Sequence, residues 1–334
     1  MSIVLDSPPR DLISSVRFSP VGNVYHLLVS SWDEHLRVYD TSTVNDDGGR
    51  VAAKVAFRGP ILDSCWDKLS GEHAYVVGFS RRCHRVDLET GKKMKIGKAH
   101  EQAVKCVVHD TTSRTVITGS WDRTLQQIDY RSSNGPARTV SLPGKVIAMD
   151  TFEHRLVVGM DKRQFHIYDV RNLSVPLEER ESSLKHPTRT LRCSPDGTGY
   201  ITTSLEGRVA VEFFDQGSKY AFKCHRIVDK KGSADDIVTP INALAFHPKY
   251  GTFFTGASDR QVILWDHKAR KKWRTYPEFD LSIMSLDVNP TAELLAVGTS
   301  DDRYVSDPVS GAQGAQSSKI FIRNLAPEEG RSRV

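Results

Sequence analysis

The sequence predicts an all-β chain, a seven-bladed β-propeller whose ring is closed by its own N-terminal strand. Three observations predict it. One plan recurs seven times along 334 residues. The recurring runs are short, alternating, and rich in β-branched and aromatic residues. The last copy lacks an outer strand that the N-terminus can supply. A four-stranded blade cannot bury both of its faces alone, so consecutive blades stack and close into a ring.

The copies begin ISSVRFSP (13–20), ILDSCWDK (61–68), AVKCVVHD (103–110), VIAMDTFE (146–153), TRTLRCSP (188–195), INALAFHP (241–248) and IMSLDVNP (283–290). Six third runs end at Asp40, Asp87, Asp129, Asp169, Asp215 and Asp266, and the seventh at Arg323-Asn324. Successive ends lie 40 to 58 residues apart, the spacing of propeller blades. Blade seven has strands near 283–289, 294–299 and 319–324, so Ser2–Asp6 is the expected outer strand. Residues 1–325 therefore form one propeller, and 326–334 a short tail expected to fray. The segments 44–50, 226–239 and 301–318 are polar or Gly/Ser-rich and predict loops.

Composition fits a folded chain, with 39% hydrophobic and 26% charged residues. No apolar run approaches the 18 or so residues of a membrane span, so no membrane partner is expected. MSIVLDSPPR lacks the pattern of a secretory signal. The five cysteines, Cys65, Cys83, Cys106, Cys193 and Cys224, never form a CxxC, which points to reduced thiols in cytosol or nucleus. A net charge of +5 allows an acidic partner without demanding nucleic acid, and no direct nucleic-acid contact is expected.

Enzyme chemistry is not visible. Walker A, GxGxxG after a strand, GxSxG and HExxH are all missing, and the histidines do not fall at zinc-ligand spacing. No catalytic residue, metal or cofactor is assigned. His100 and Asp122 have the look of a structural hydrogen-bond pair, and Trp265 of a core residue. Asp33, Asp122 and Asp259 are the kind of residue that holds a tight turn.

Blade geometry assigns each loop a side. The turns between second and third strands share one face, the top, with the connections between blades. Loops on a rigid scaffold are the usual binding surface. Trp32 in SSWDEH and Trp121 in GSWDRT occupy equivalent top turns. One such Trp could fold over its neighbouring blade, but two at one position argue for peptide contact. Basic residues in these turns (Arg81, Arg82, Arg123, Lys162, Arg163, Arg208, Arg260) are offset by acidic ones, so charge counting decides nothing. Register says more. Pairing Phe213 with Tyr220 in blade five sets Ala210 against Lys223 and Arg208 against His225. Alternation then groups Arg208, Lys223 and His225 on one side near the top, an arrangement suited to phosphate or carboxylates. An ordinary solvated sheet face is the competing reading, and a one-residue slip would break the group.

RESSLKHPTRTLR (180–192), SLEGRVAVEFFD (204–215) and KYAFKCHRI (219–227) closely resemble the WD-repeat propeller of the mitotic spindle checkpoint, the third member of the "budding uninhibited by benzimidazole" family. ISSVRFSP (13–20), LLVSSWD (27–33), TGSWDRT (118–124), LVVGMDKR (156–163) and IFIRN (320–324) agree. Blade two, with SRRCHR (80–85), and the 301–318 segment match poorly. The resemblance implies a non-enzymatic adaptor, nuclear and at kinetochores in mitosis. Its partners would be the GLEBS motif of a checkpoint kinase and of its pseudokinase relative, and phosphorylated Met-Glu-Leu-Thr repeats of a kinetochore scaffold. By matching strings, Trp32, Trp121 and Arg189 would contact the GLEBS segment, while Arg208 and Lys223 would hold the phosphothreonine. The resemblance thus favours the binding reading of the blade-five hairpin over the solvated one. A sister family, the messenger-RNA export propeller of nuclear pores, shares FKCHR and would bind a nucleoporin GLEBS motif. A third reading, a propeller enzyme using its central channel, would show turnover or a bound metal.

Overall fold

The computed structural model describes residues 2–44, 48–131, 137–215, 219–227, 237–302 and 318–332. Seven four-stranded antiparallel sheets stand round a central channel. Blade one shows the plan: Ile13–Phe18 lines the channel, His26–Ser31 and His35–Asp40 follow, and Arg50–Ala56 lies outermost. Blade five is built from Thr188–Cys193, Gly199–Ser204, Arg208–Phe213 and Tyr220–Lys223. The middle strands are almost wholly buried because both faces meet neighbouring blades, which is why they read as apolar runs. Contact between blades is close: a Cβ on Gly256 of blade six would fall 2.3 Å from Cγ2 of Ile283 in blade seven.

The ring closes as the sequence predicts. Ser2–Val4 pairs antiparallel with Ser318–Asn324, and the Leu5 N–H donates to the Ile320 carbonyl at 2.8 Å. Blade two, despite its atypical sequence, is a regular sheet.

Two expectations are revised. Residues 226–227 and 237–238 are not loop but a two-stranded ribbon, Arg226–Ile227 against Ile237–Val238. Residues 228–236 of that expected loop, like 45–47 and 303–317, lie outside the described residues. The tail does not fray through residue 332. The Glu329 carboxylate is buried, accepting from the Tyr276 hydroxyl (2.6 Å) and Arg274 (3.0 Å), while Thr252 donates to the Gly330 carbonyl (2.9 Å) and Trp273 to that of Arg331 (3.1 Å). The tail leaves blade seven and seals the side of blade six.

In every blade the pairing of the innermost and second strands carries a β-bulge at the same place, near the top. A bulge inserts one extra residue and re-aims its side chain. The extra residues are Ser14, Leu62, Lys105, Ile147, Arg189, Asn242 and Met284, and all seven line the upper mouth of the channel.

Candidate functional site: the top face and the blade-five rim

Trp32 and Trp121 are half-buried at the mouth of the channel, each just after its blade's second strand. Their backbone N–H groups donate back to the preceding connections, at Leu12 and Ala103. Phe79, in the equivalent turn of blade two, stands between them, 45% exposed. Its ring meets Trp32 edge-on at 6.3 Å and Trp121 edge-on at 6.0 Å. Three adjacent blades thus carry one aromatic row. Sequence reasoning missed Phe79 because its turn, GFSRR, lacks the Trp-Asp pair, although its position after the second strand was available as a signal. Leu205, 41% exposed, holds the same position in blade five.

The turn aspartates fix this row. Arg37 clasps Asp33 with two hydrogen bonds, at 2.6 and 3.0 Å, and the Arg10 N–H adds a third at 3.0 Å. Burial alone would push the Asp33 carboxyl up, but the hydrogen bonds from Arg37, Ser31 and Arg10 hold it at about 2. His100 and Asp122 do form the expected pair, 3.0 Å apart, with Thr118 and Thr124 completing the set. Burial pushes the His100 pKa down, towards the neutral imidazole. These bland residues therefore orient the turns that present Trp32 and Trp121.

Arg189 is the bulge residue of blade five. It is exposed, and its Nε donates to Asn242 Oδ1 at 3.0 Å, with Asn242 donating in turn to Ser258 and the Ile283 carbonyl. Arg189 faces the mouth together with both tryptophans.

The blade-five hairpin differs from the sequence register by two residues. Tyr220 pairs with Val211, and Arg208 stands directly opposite Lys223. An even slip preserves the face, so the two cations remain together at the top rim and come closer than expected. Tyr220 accounts for the slip: its hydroxyl donates to the His267 carbonyl of blade six at 2.7 Å and Arg270 covers its ring, which draws the outer strand along. His225 leaves the group. It lies beyond the strand, buried, bonded to Asp259 (2.9 Å) and to Thr255 (2.8 Å), which Trp265 also reaches (2.8 Å). This is a structural network like that of His100. Gly207, at φ +62°, precedes Arg208 and passes so close to the Cys224 carbonyl that a Cβ would lie 2.7 Å from it. A side chain here would displace the Arg208–Lys223 pair. Glu206 stands 3.3 Å from Arg208 and 3.5 Å from His186, tempering the positive charge.

All five cysteines are free, and four are buried. Among the described residues no group of three or more His, Cys, Asp or Glu is placed to hold a metal. No helix among them is long and apolar enough to cross a membrane.

Residues 4–40, 91–129 and 232–266 match the WD domain, G-beta repeat family. The chain is 43% identical over 331 residues to the mitotic checkpoint protein BUB3.1 of Arabidopsis thaliana, covering 96% of this chain and 92% of that one. It is 36% identical over 329 residues to the mitotic checkpoint protein bub3 of Dictyostelium discoideum, covering 96% and 94%. The chain belongs to the Bub3 mitotic checkpoint family of WD-repeat propellers. Similarity extends beyond it: a poly(A)+ RNA export protein of Schizosaccharomyces pombe is 33% identical over 328 residues, covering 96% of this chain and 90% of its own.

Proposed function

We propose that the protein is a non-enzymatic adaptor of the spindle assembly checkpoint that joins two partners on its top face. A GLEBS segment of the checkpoint kinase, or of its pseudokinase relative, crosses the mouth over Trp32, Phe79 and Trp121. Arg189 meets one of its carboxylates. A phosphorylated Met-Glu-Leu-Thr repeat of a kinetochore scaffold docks at Arg208 and Lys223, bringing the complex to kinetochores in the nucleus. The observation that carries the reading is the Arg208–Lys223 pair, two cations directly opposed on a rigid hairpin. A guanidinium and an ammonium so placed can share the oxygens of one phosphate.

The switch follows from charge. Phosphothreonine carries about −1.5 to −2 charges where threonine carries none. Each charge-assisted hydrogen bond contributes about 1.5–3 kcal/mol, so losing two weakens binding by orders of magnitude. Glu206 beside Arg208 lowers the net positive charge of the rim, so both cations are needed to hold the phosphate.

The test is a titration of the full chain with matched phosphorylated and unphosphorylated Met-Glu-Leu-Thr peptides. The phosphorylated peptide should bind and the plain one should not. Arg208→Ala with Lys223→Ala should abolish that binding and leave fold and GLEBS binding intact. Equal affinity of the double variant for the phosphopeptide would overturn the proposal. A second reading, an export propeller on a nucleoporin GLEBS motif, draws on the 33% identical export relative. It is favoured instead if a nucleoporin peptide binds and neither checkpoint peptide does.

A further inference from the structure

A net charge of +5 does not by itself call for a nucleic-acid partner. The placement of charge on the outer side of blade two does. The outermost strand there, Lys93–Ile96, pairs with Cys83–Asp87 and leaves its other edge open. Lys93 stands opposite Val86 and Lys95 opposite His84, so alternation puts both lysines on the side that faces blade one. Lys93 is fixed there: its ammonium donates to the Ala56 carbonyl of blade one and covers the Phe57 ring at 5.1 Å. Lys98 follows just past the upper end of the strand, and Arg82 reaches the same end by donating to the Gly97 carbonyl at 3.2 Å.

The protein does not balance these four cations. Lys93, Lys95 and Lys98 are exposed, Arg82 is half-buried, and among the described residues none of the four makes an ion pair. Asp87 and Glu89 lie at the opposite, lower end of the strand, where Asp87 accepts the Thr90 N–H at 2.8 Å. His84 senses the field between the cations. It is buried and meets the Phe57 ring edge-on at 5.5 Å. Burial lowers its pKa most, and the charges of Lys95, Lys93 and Arg82 lower it further, against one backbone hydrogen bond that raises it. Lysines on an open edge also guard against pairing with another chain, but that role does not extend to Arg82 and Lys98, which lie beyond the strand.

We propose that this strip binds the phosphate backbone of duplex DNA without reading its sequence. Two residues along a strand span about 6.6–6.8 Å, twice the ~3.4 Å axial spacing of phosphates on one DNA strand. Lys93 and Lys95 can therefore meet alternate phosphates, with Lys98 and Arg82 continuing the line towards the top face. Evenly spaced cations on an extended strand suit a regular polyanion better than a folded acidic surface, whose carboxylates follow no such spacing. The strip lies on the side of blade two, apart from the rim of blade five, and does not rest on the peptide reading.

The probe is a short fluorescein-labelled DNA duplex of arbitrary sequence, titrated with the full chain and read by anisotropy over a series of chloride concentrations. Each phosphate neutralised contributes about −0.9 to the slope of log affinity against log salt, so four engaged cations give about −3.6. Lys93→Gln with Lys95→Gln should weaken binding about tenfold or more at low salt and make the slope shallower by about 1.8. Lys95→Gln with Lys98→Gln should do the same, and it carries the test if losing the Lys93 contacts to blade one unfolds the first variant. Arg208→Ala with Lys223→Ala should bind the duplex as the parent does. Absence of binding by the parent chain at low salt, parent-like binding by a folded lysine variant, loss of binding in the rim variant, or equally tight binding of an oligoglutamate peptide of the same charge would each overturn the proposal.

Discussion

At the scale of single residues, the top face depends on side chains that never touch a ligand. Asp33 is the clearest. Its carboxyl is held at about 2, below the usual 3.8, by hydrogen bonds that outweigh its burial. A lowered folded-state value means stability that is fully present above the unfolded value and is lost as pH falls from about 4 through about 2. Asp33→Asn should therefore cost about 2 kcal/mol at neutral pH, and leave Arg37, also buried, without its partner. The gap between parent and variant in urea unfolding should narrow between pH 5 and pH 3; a gap constant with pH would refute the ion pair. The variant should also loosen the turn that carries Trp32 and weaken GLEBS binding without touching phosphopeptide binding. In the proposed complex Arg189 acts directly. Arg189→Glu places a carboxylate at the mouth against an acidic peptide, so a pull-down of the checkpoint kinase should lose most of its yield. An undiminished pull-down would remove Arg189 from the interface.

At the scale of the element, sequence reasoning succeeded where a signal repeats and failed where it does not. Alternation and turn chemistry recur seven times, so the blades and their ends were legible. The bulge that aims Arg189 at the mouth adds one residue and no compositional mark, so it was not. The blade-five register slipped by two residues because Tyr220 answers to blade six, a contact across blades that a hairpin considered alone does not contain. The face of Arg208 and Lys223 survived because the slip was even, while His225 did not, since the strand ends before it. The tail was misjudged for a related reason. LAPEEGRSR is polar and resembles a solvated end, yet Glu329 finds Tyr276 and Arg274 on blade six. Chain truncation after Leu325 should strip both partners and lower stability by about 2–4 kcal/mol, counting the lost hydrogen bonds to a buried charge. A urea midpoint equal to that of the full chain would show that the docked tail contributes nothing.

For the whole molecule, stability and function meet at ring closure. Seven wedges held by side chains that reach from one blade to the next form a cooperative unit only while no blade has a free edge. Blade seven is joined to blade one by the Ser2–Val4 strand, by Ser300 accepting the Ile13 N–H (3.0 Å), by Ser285 accepting that of Val16 (3.0 Å), and by Asp287 accepting that of Phe18 (2.7 Å). Leu5 anchors the closing strand, 1% exposed among Tyr39, Val44, Ile320 and Ile322. A residue so near a chain terminus would ordinarily tolerate change. Here Leu5→Ala should cost about 2–5 kcal/mol, as in the centre of a core. Because the partner strands lie in blades seven and one, the loss should be global. Urea unfolding should remain a single transition with its slope preserved and its midpoint lowered. Phosphopeptide affinity at blade five, two blades from the closure, should hold until that transition begins. A variant that unfolds in two steps, with blade five outlasting blade seven, would mean that the ring is a chain of independent wedges and that closure serves only to cover an edge.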